Sequence, residues 1–142
     1  MLDYTVMLGL AAIIILGGLM FLFVSKFTVK KSRKHLNVEE YRVKFLASEN
    51  QLKRDDLSSY NLSVLNADKL VDQACRECGM SGETMGERLR NSPKKFSDIN
   101  GLWMAHKLRN RIAHETDVVV TYDEARYALA SFKKALKDLG AI

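Results

Sequence analysis

The pattern of apolar and polar positions divides the chain into two parts. Residues Val6 to Val24, VMLGLAAIIILGGLMFLFV, form a run of 19 residues without a charge. As a helix this run is about 28 Å long, close to the thickness of a bilayer core. A buried core helix is the alternative, but a long run that is apolar on every side favours a transmembrane helix at residues 6–24.

The flanks of this run predict its orientation. The linker at residues 25–37 begins with a cluster of basic residues, Lys26, Lys30, Lys31, Arg33 and Lys34, whereas residues 1–5 contain no basic residue. Because positive charge stays on the cytoplasmic side, we expect a single-pass protein of the inner (cytoplasmic) membrane. Residues 1–5 would lie outside and residues 38–142 in the cytoplasm. A cleaved signal peptide would need a basic start and a shorter apolar region.

Beyond residue 37, apolar positions recur at the helical period. Helices are predicted from Asn37 to about Asn50, from Leu57 to Cys78, from about Met85 to Arg90, from Asp98 to about Glu115, and from the capping box at Thr121 to Gly140. The side chains expected to face the core are Tyr41, Phe45 and Leu46 in the first helix, Leu57, Leu62, Leu65, Leu70, Val71, Ala74, Cys75 and Cys78 in the second, and Ala125, Ala128, Leu129, Phe132, Ala135, Leu136 and Leu139 in the last. Short connections between these helices predict an all-α fold, an antiparallel bundle of four to five helices after the transmembrane helix.

The distribution of charge along the chain is more informative about binding partners than the total charge. The net charge is +5, but residues 36–142 contain 17 basic and 16 acidic residues, a net of +1. The basic total is therefore no evidence for nucleic-acid binding. From Arg88 to Arg111, however, Asp98 is the only acid among a group of basic residues: Arg88, Arg90, Lys94, Lys95, Lys107, Arg109 and Arg111. The second part of the chain is polarised, with a basic end that includes the predicted helix after Asp98.

The two cysteines form the pair Cys75-x-x-Cys78. A zinc site would need two further ligands, and His106 and His114 are eight residues apart on another helix. Two small side chains on one buried helical face is the better account, and we expect free thiols in a reducing cytoplasm. The chain contains neither a phosphate-binding loop nor an HExxH motif. We therefore expect no metal and no cofactor.

The helix after Asp98 contains the candidate chemistry, within the stretch HKLRNRIAHE. On a helical wheel, Leu102, Ala105, Ile112 and Ala113 share one arc with Arg109, whose charge must find a partner if that arc is buried. A neighbouring ridge consists of side chains three or four residues apart, namely Trp103, His106, Asn110 and His114, with Lys107 and Arg111 on its solvent side. Arg109 and His114 lie about 140° apart around the axis. They would meet only if the arginine bends, the helix end unwinds, or two copies share a site.

These residue types suit cleavage of RNA without a metal. Histidine titrates near neutral pH and arginine matches phosphate oxygens with a planar fork. His114 would then move a proton and Arg109 would stabilise the charged transition state. In the alternative, Arg109 pairs with a buried acid such as Asp68 or Asp72, and His106 and His114 are packing residues.

The motif RNRIAH, Arg109 to His114, resembles the R-x(4–6)-H signature of the HEPN superfamily (higher eukaryotes and prokaryotes nucleotide-binding). The resemblance covers roughly residues 38–140 and includes the late position of the motif, on the helix before the last one. It implies a helical bundle that acts as a metal-independent ribonuclease, typically as a homodimer with facing motif helices. Arg109 and His114 would be catalytic with Asn110 in support, and His106, Arg111, Lys107 and Trp103 would support the site or bind RNA. One toxin subgroup has a tyrosine two residues after the histidine, where this chain has Thr116.

Two functions from different classes follow. The first is a membrane-tethered endoribonuclease that acts on single-stranded cytoplasmic RNA, as a toxin or defence effector. A lethal nuclease usually needs an inhibitor, and the absence of a second domain to supply one weighs against this function. An antitoxin or regulatory protein is a further candidate partner. The second is a membrane-anchored helical module that binds a nucleotide or a protein without cleaving it. Burial of Arg109 and His114 discriminates between the two.

Overall fold

The computed structural model describes residues 4–28 and 36–142. The chain divides into two compact units, Met1–Ser32 and Arg33–Ile142. Within the described residues there are six α-helices, a 3-10 turn at Pro93–Lys95 and no β-strand. The all-α prediction is therefore confirmed.

The first unit contains one helix, α1 (Tyr4–Thr28). Its side chains are described for Tyr4 and for residues 6–21, and every one of them is exposed. In the part of the chain that the structure describes, no helix is both long and apolar enough to cross a membrane. The side chains at 22–24, which complete the predicted span, lie outside the described residues, as do residues 1–3 and 29–35. The transmembrane helix and its orientation stay predictions.

Polar caps define the helices of the second unit. These helices are α2 (Val38–Gln51), α3 (Leu57–Glu77), α4 (Met85–Asn91), α5 (Ile99–His114) and α6 (Tyr122–Asp138). In each, the side chain before the first turn accepts a hydrogen bond from a backbone N–H; the capping residues are Asn37, Asp56, Thr84, Asp98 and Thr121. The predicted capping box of Thr121 and Glu124 is confirmed. All five predicted helices are present, close to their predicted ends.

Helix α3 is central in this helical bundle. It packs against α2, α5 and α6, and α5 packs in turn against α6. All five helices contribute large, fully buried side chains: Phe45, Phe132, Leu89, Leu102, Leu136, Val64, Val71 and Cys75. Helix α5 therefore has one side fixed against α3 and α6, and this fixed side determines which motif residues remain accessible.

Some predicted core positions are wrong. Leu57 and Leu62 of α3 and Leu46 of α2 are exposed, and Leu65 is half-buried. Cys78 and Leu139 are also half-buried, but both pack against the core. The buried side of α3 runs instead through Tyr60, Val64 and Ala67 towards Val71, at spacings of three and four. Leu62 lies two residues from Val64, about 200° around the axis, and so points away from the core.

The cysteine prediction holds in part. Cys75 is fully buried on the core side of α3, whereas Cys78 is half-buried at the end of that helix. Both are free thiols, as expected. Burial raises the pKa of the Cys75 thiol to about 12.

Candidate functional site

The motif helix keeps regular α-helical geometry through His114, its last residue. Leu102, Ala105 and Leu108 are buried against the core, as is His106. Ala113 is exposed rather than buried, and Ile112 is half-buried against the core. The last two residues of the motif are therefore open to solvent, as is Arg111, whereas Arg109 and Asn110 are half-buried.

The predicted ridge on α5 exists in its first three members. The rings of Trp103 and His106 meet edge to face, with centroids 6.1 Å apart. Asn110 Nδ2 lies 3.3 Å from Nε2 of His106. His114 stands one turn further on, exposed and without a polar partner among the described residues.

Asp68 of α3 organises the centre of the site. Its carboxylate is 4% exposed, and its Oδ1 lies 2.7 Å from Nδ1 of His106, which is itself 10% exposed. Its Oδ2 lies 3.1 Å from Nε of Arg109. Arg109 also donates from Nη1 to Oδ1 of Asn110 at 2.9 Å. Asp68, His106, Asn110 and Arg109 thus form a closed ring of polar contacts, which we call the Asp68 ring.

A cleft of about 360 Å³ lies beside the Asp68 ring. Its walls combine apolar and polar side chains from α3, α4 and α5: Leu62, Leu65, Asn66, Asp68, Lys69, Asp72, Met85, His106 and Arg109. This volume is at the lower end of the range for small-molecule sites. The Arg109 side chain is 34% exposed and lines this cleft, although its Nε is buried.

Arg109 and His114 do not converge within one chain. Five residues of regular helix place them about 7.5 Å apart along the axis and about 140° around it. Arg109 is turned towards α3, whereas His114 is on the free side of the last turn. Within one chain, the two side chains therefore point in different directions from α5.

The remaining predicted residues take different positions. Lys107 and Arg111 are exposed, and Arg111 Nε is 3.7 Å from Glu115 of the next turn. Trp103 is half-buried, next to the backbone of Gly86 in α4. Lys107 and Arg111 therefore remain accessible to a polyanion, whereas Trp103 mainly closes the space between α4 and α5.

Arg88 does not belong to the basic surface that the sequence predicts. Its side chain is 5% exposed and donates to Asp72 Oδ1 from Nε at 3.1 Å and from Nη2 at 2.7 Å. It also donates to the carbonyl oxygens of Gly82 and Glu83. Asp72 is thus the partner of Arg88, and of the two candidate acids it is Asp68 that pairs with Arg109. The contact of Asp68 with His106 is not predicted from the sequence.

Comparison with protein families, with curated proteins and with solved structures found no match to this chain. Among the described residues, no cluster of three or more histidine, cysteine or acidic side chains is arranged to hold a metal ion.

Proposed function

We propose that this protein is a membrane-tethered, metal-independent endoribonuclease of the HEPN type, which acts on single-stranded cytoplasmic RNA as a homodimer. The observation that supports this most directly is the state of the two motif residues. His114 is exposed and has no polar partner among the described residues, and Arg109 is oriented by Asp68 and Asn110 at the wall of a cleft. One residue is available for proton transfer and the other for charge stabilisation.

The reaction would be an internal transesterification. The 2′-oxygen of a ribose attacks the adjacent phosphorus while a histidine removes its proton, and the bond from phosphorus to the 5′-oxygen breaks. The leaving 5′-oxygen takes a proton, and the products are a 2′,3′-cyclic phosphate and a 5′-hydroxyl. Arg109 would stabilise the charge on the non-bridging oxygens in the transition state. Asn110 would support Arg109, and Lys107 and Arg111 would contact neighbouring phosphates.

A homodimer with antiparallel bundles completes this site. The accessible end of α5, with His114 exposed and with Arg109 and Asn110 half-buried beside it, would face the same residues of a second copy, so that Arg109 of one chain and His114 of the other approach the same phosphate. Such a two-fold arrangement uses the same surface on both copies and contains two sites. Helix α1 supports the tether, because its described apolar side chains are all exposed and need an apolar environment.

Mixing two inactive variants tests the composite site. The full chain, purified in detergent, is assayed with mixed-sequence single-stranded RNA in excess EDTA. Arg109→Ala and His114→Ala are each expected to lose cleavage, but a mixed dimer retains one site with both residues intact. After subunit exchange, about a quarter of the parent activity is expected to return, since half of the dimers are mixed and each has one of two sites.

Each outcome of this test is informative. Recovery in the mixture, with 2′,3′-cyclic ends, supports the shared site. Equal loss in the single variants and in an exchanged mixture would place both residues in one chain and contradict the dimer geometry. No cleavage by the parent protein would remove the nuclease proposal.

A membrane-anchored binding module is the second candidate, and one observation favours it. Arg109 is paired with a buried carboxylate, as expected of a residue that stabilises the bundle. In that function the cleft would bind a nucleotide or a segment of a partner protein without chemistry. An intact RNA that nevertheless binds the parent chain, and binds less well after Arg109→Ala, would favour this second function.

A further inference from the structure

The Asp68 ring has a defined pattern of donors and acceptors. A guanidinium only donates hydrogen bonds, so the atom of Asn110 that faces Arg109 must be its oxygen. The amide nitrogen of Asn110 then faces His106 and donates to Nε2, which must be unprotonated. An ionised carboxylate only accepts, so Nδ1 of His106 must carry the proton that lies between it and Asp68. The contact with Asp68 places a proton on Nδ1, the contact with Asn110 leaves Nε2 without one, and together they give an imidazole protonated on Nδ1 alone.

This pattern leaves His106 without a nitrogen for proton transfer. Nδ1 is bound to Asp68 and Nε2 to Asn110, and the ring is buried. His114, in contrast, is exposed on the same helix. The structure therefore separates two histidines of the same helix: His106 holds other groups in place, and His114 is open to a substrate.

The same pattern restricts the guanidinium of Arg109. Its Nε lies 3.1 Å from Oδ2 of Asp68 as an ion pair without hydrogen-bond geometry, and one hydrogen of Nη1 is used by Asn110. Neither Nε nor Nη2 makes a hydrogen bond to another described residue. Arg109 lines the cleft together with exposed Lys69. Asp72 on the same wall is countered by Arg88 and by Arg76 at 3.4 Å, so its charge repels an incoming anion less.

We propose that Asp68 and His106 are positioning residues that, through Asn110, hold the Arg109 guanidinium with its Nη2 group directed into the cleft to bind a phosphate group. The role of this arrangement in cleavage rests on the proposed nuclease function. The tautomer of His106 and the orientation of the Arg109 guanidinium can be measured without RNA.

The experiment compares two acids on the same helix. Asp68→Asn removes the charge of the Asp68 ring, and Asp72→Asn is the matched control, because Asp72 lies one turn away and holds Arg88 instead. Full-length protein with ¹⁵N-labelled histidine is prepared in detergent micelles. Two-bond ¹H–¹⁵N correlation spectra report which imidazole nitrogen is protonated, and a His106→Gln variant assigns the signal. RNA binding and RNA cleavage are then measured for each variant.

We expect His106 to be protonated on Nδ1 in the parent and in Asp72→Asn, and to lose this preference in Asp68→Asn. Cleavage by Asp68→Asn is expected to fall about 100-fold through kcat, because a misplaced catalytic group loses about that much. RNA affinity would change little, because Lys107 and Arg111 remain. An effect on kcat with an almost constant KM separates positioning from a loss of binding.

The outcomes distinguish this inference from the proposed function. The cleavage assays are run at a temperature where circular dichroism shows both variants folded. An imidazole protonated on Nε2 in the parent, or equal losses of cleavage in folded Asp68→Asn and folded Asp72→Asn, would overturn the positioning role even if RNA is cleaved. An Nδ1 proton that depends on Asp68, in a parent protein that cleaves no RNA, would support the ring and remove the nuclease.

Discussion

Arg88 gives the clearest test of how charges stabilise this fold. Its guanidinium is almost fully buried, makes two hydrogen bonds to Asp72, and donates to the carbonyl oxygens of Gly82 and Glu83. Arg88→Met replaces it with an unbranched apolar side chain that can occupy similar space. The variant leaves the Asp72 carboxylate without its principal partner and two backbone carbonyls without donors.

The expected loss of stability follows from the burial of each group. Removing one partner of a buried ion pair costs about 3–5 kcal/mol. Asp72 is 21% exposed and keeps Arg76 at 3.4 Å, so part of its charge remains solvated and paired. We therefore expect a decrease of about 3 kcal/mol in the free energy of unfolding, at the lower end of that range.

The assay is urea unfolding of the full chain in detergent, followed by far-ultraviolet circular dichroism and by the fluorescence of Trp103, the only tryptophan. The double variant Arg88→Met, Asp72→Leu is the control. Replacing both members of a buried pair by apolar residues is often almost neutral, so the double variant is expected to be more stable than Arg88→Met alone. A loss below about 1 kcal/mol for Arg88→Met, or a double variant that is less stable than the single one, would refute this account.

The same variant tests the interpretation of the basic surface. Because Arg88 is buried and paired, it contributes no phosphate contact. Arg88→Met is expected to leave the salt dependence of RNA binding unchanged, measured at a temperature where the variant is folded. Lys107→Ala, which removes an exposed charge beside the ridge, is expected to reduce the slope of log affinity against log salt by about 1. Equal slopes for both variants would place RNA elsewhere.

Three further predictions concern single residues of the second unit. The backbone and hydroxyl hydrogen bonds from Thr121 lower the pKa of the Glu124 carboxyl in the folded protein, so its stabilising contribution is present above the unfolded pKa of about 4.3 and is lost as the pH falls through the lower folded value. The difference in urea midpoint between the parent and Glu124→Gln is therefore expected to shrink as the pH is lowered, and a constant difference would contradict the capping-box argument. Because burial raises the pKa of the Cys75 thiol to about 12, Cys75 is expected to react with a thiol reagent only upon unfolding, after half-buried Cys78; equal rates under native conditions would contradict this. Gly86→Ala is expected to stabilise the protein by about 0.5 kcal/mol, because alanine lowers the conformational entropy of the unfolded chain. The added methyl group meets Trp103 at 3.5 Å, an ordinary van der Waals distance. A lower urea midpoint would show that Trp103 cannot accommodate it.

Local signals in the sequence predict the helices well, and the core faces less well. Asp98 and Thr121 cap α5 and α6 as their side chains suggest, because capping depends on residues only a few positions apart. The stripe through Leu57 and Leu62 is wrong because leucine alone does not define the buried face. Helix α3 packs on α2, α5 and α6 and also contacts α4, and Tyr60 and Val64 lie on its buried side. Position around a helix is decided by neighbours that are distant in the sequence.

The candidate site shows the same limit more sharply. Asp68 and Asp72 are one turn apart on α3, and the sequence offers either of them as a partner for Arg109. Helical periodicity cannot separate them, because residues four apart share a face. The choice depends on Arg88, which comes from α4 and takes Asp72. Only the packing of α3 with both α4 and α5 assigns one acid to each arginine.

The two histidines of the motif helix illustrate why the assignment of acids affects function. Both belong to the ridge that the sequence predicts, and their side-chain chemistry is the same. His106 lies opposite Asp68, 38 positions earlier in the chain, and both of its nitrogens have partners. His114 lies on the last turn of α5 and is exposed. An imidazole that is hydrogen-bonded at both nitrogens can hold neighbouring groups in place, whereas an exposed imidazole is open to a substrate. The different surroundings of the two histidines therefore arise from the position of Asp68 opposite His106 and from the exposure of the last turn of α5.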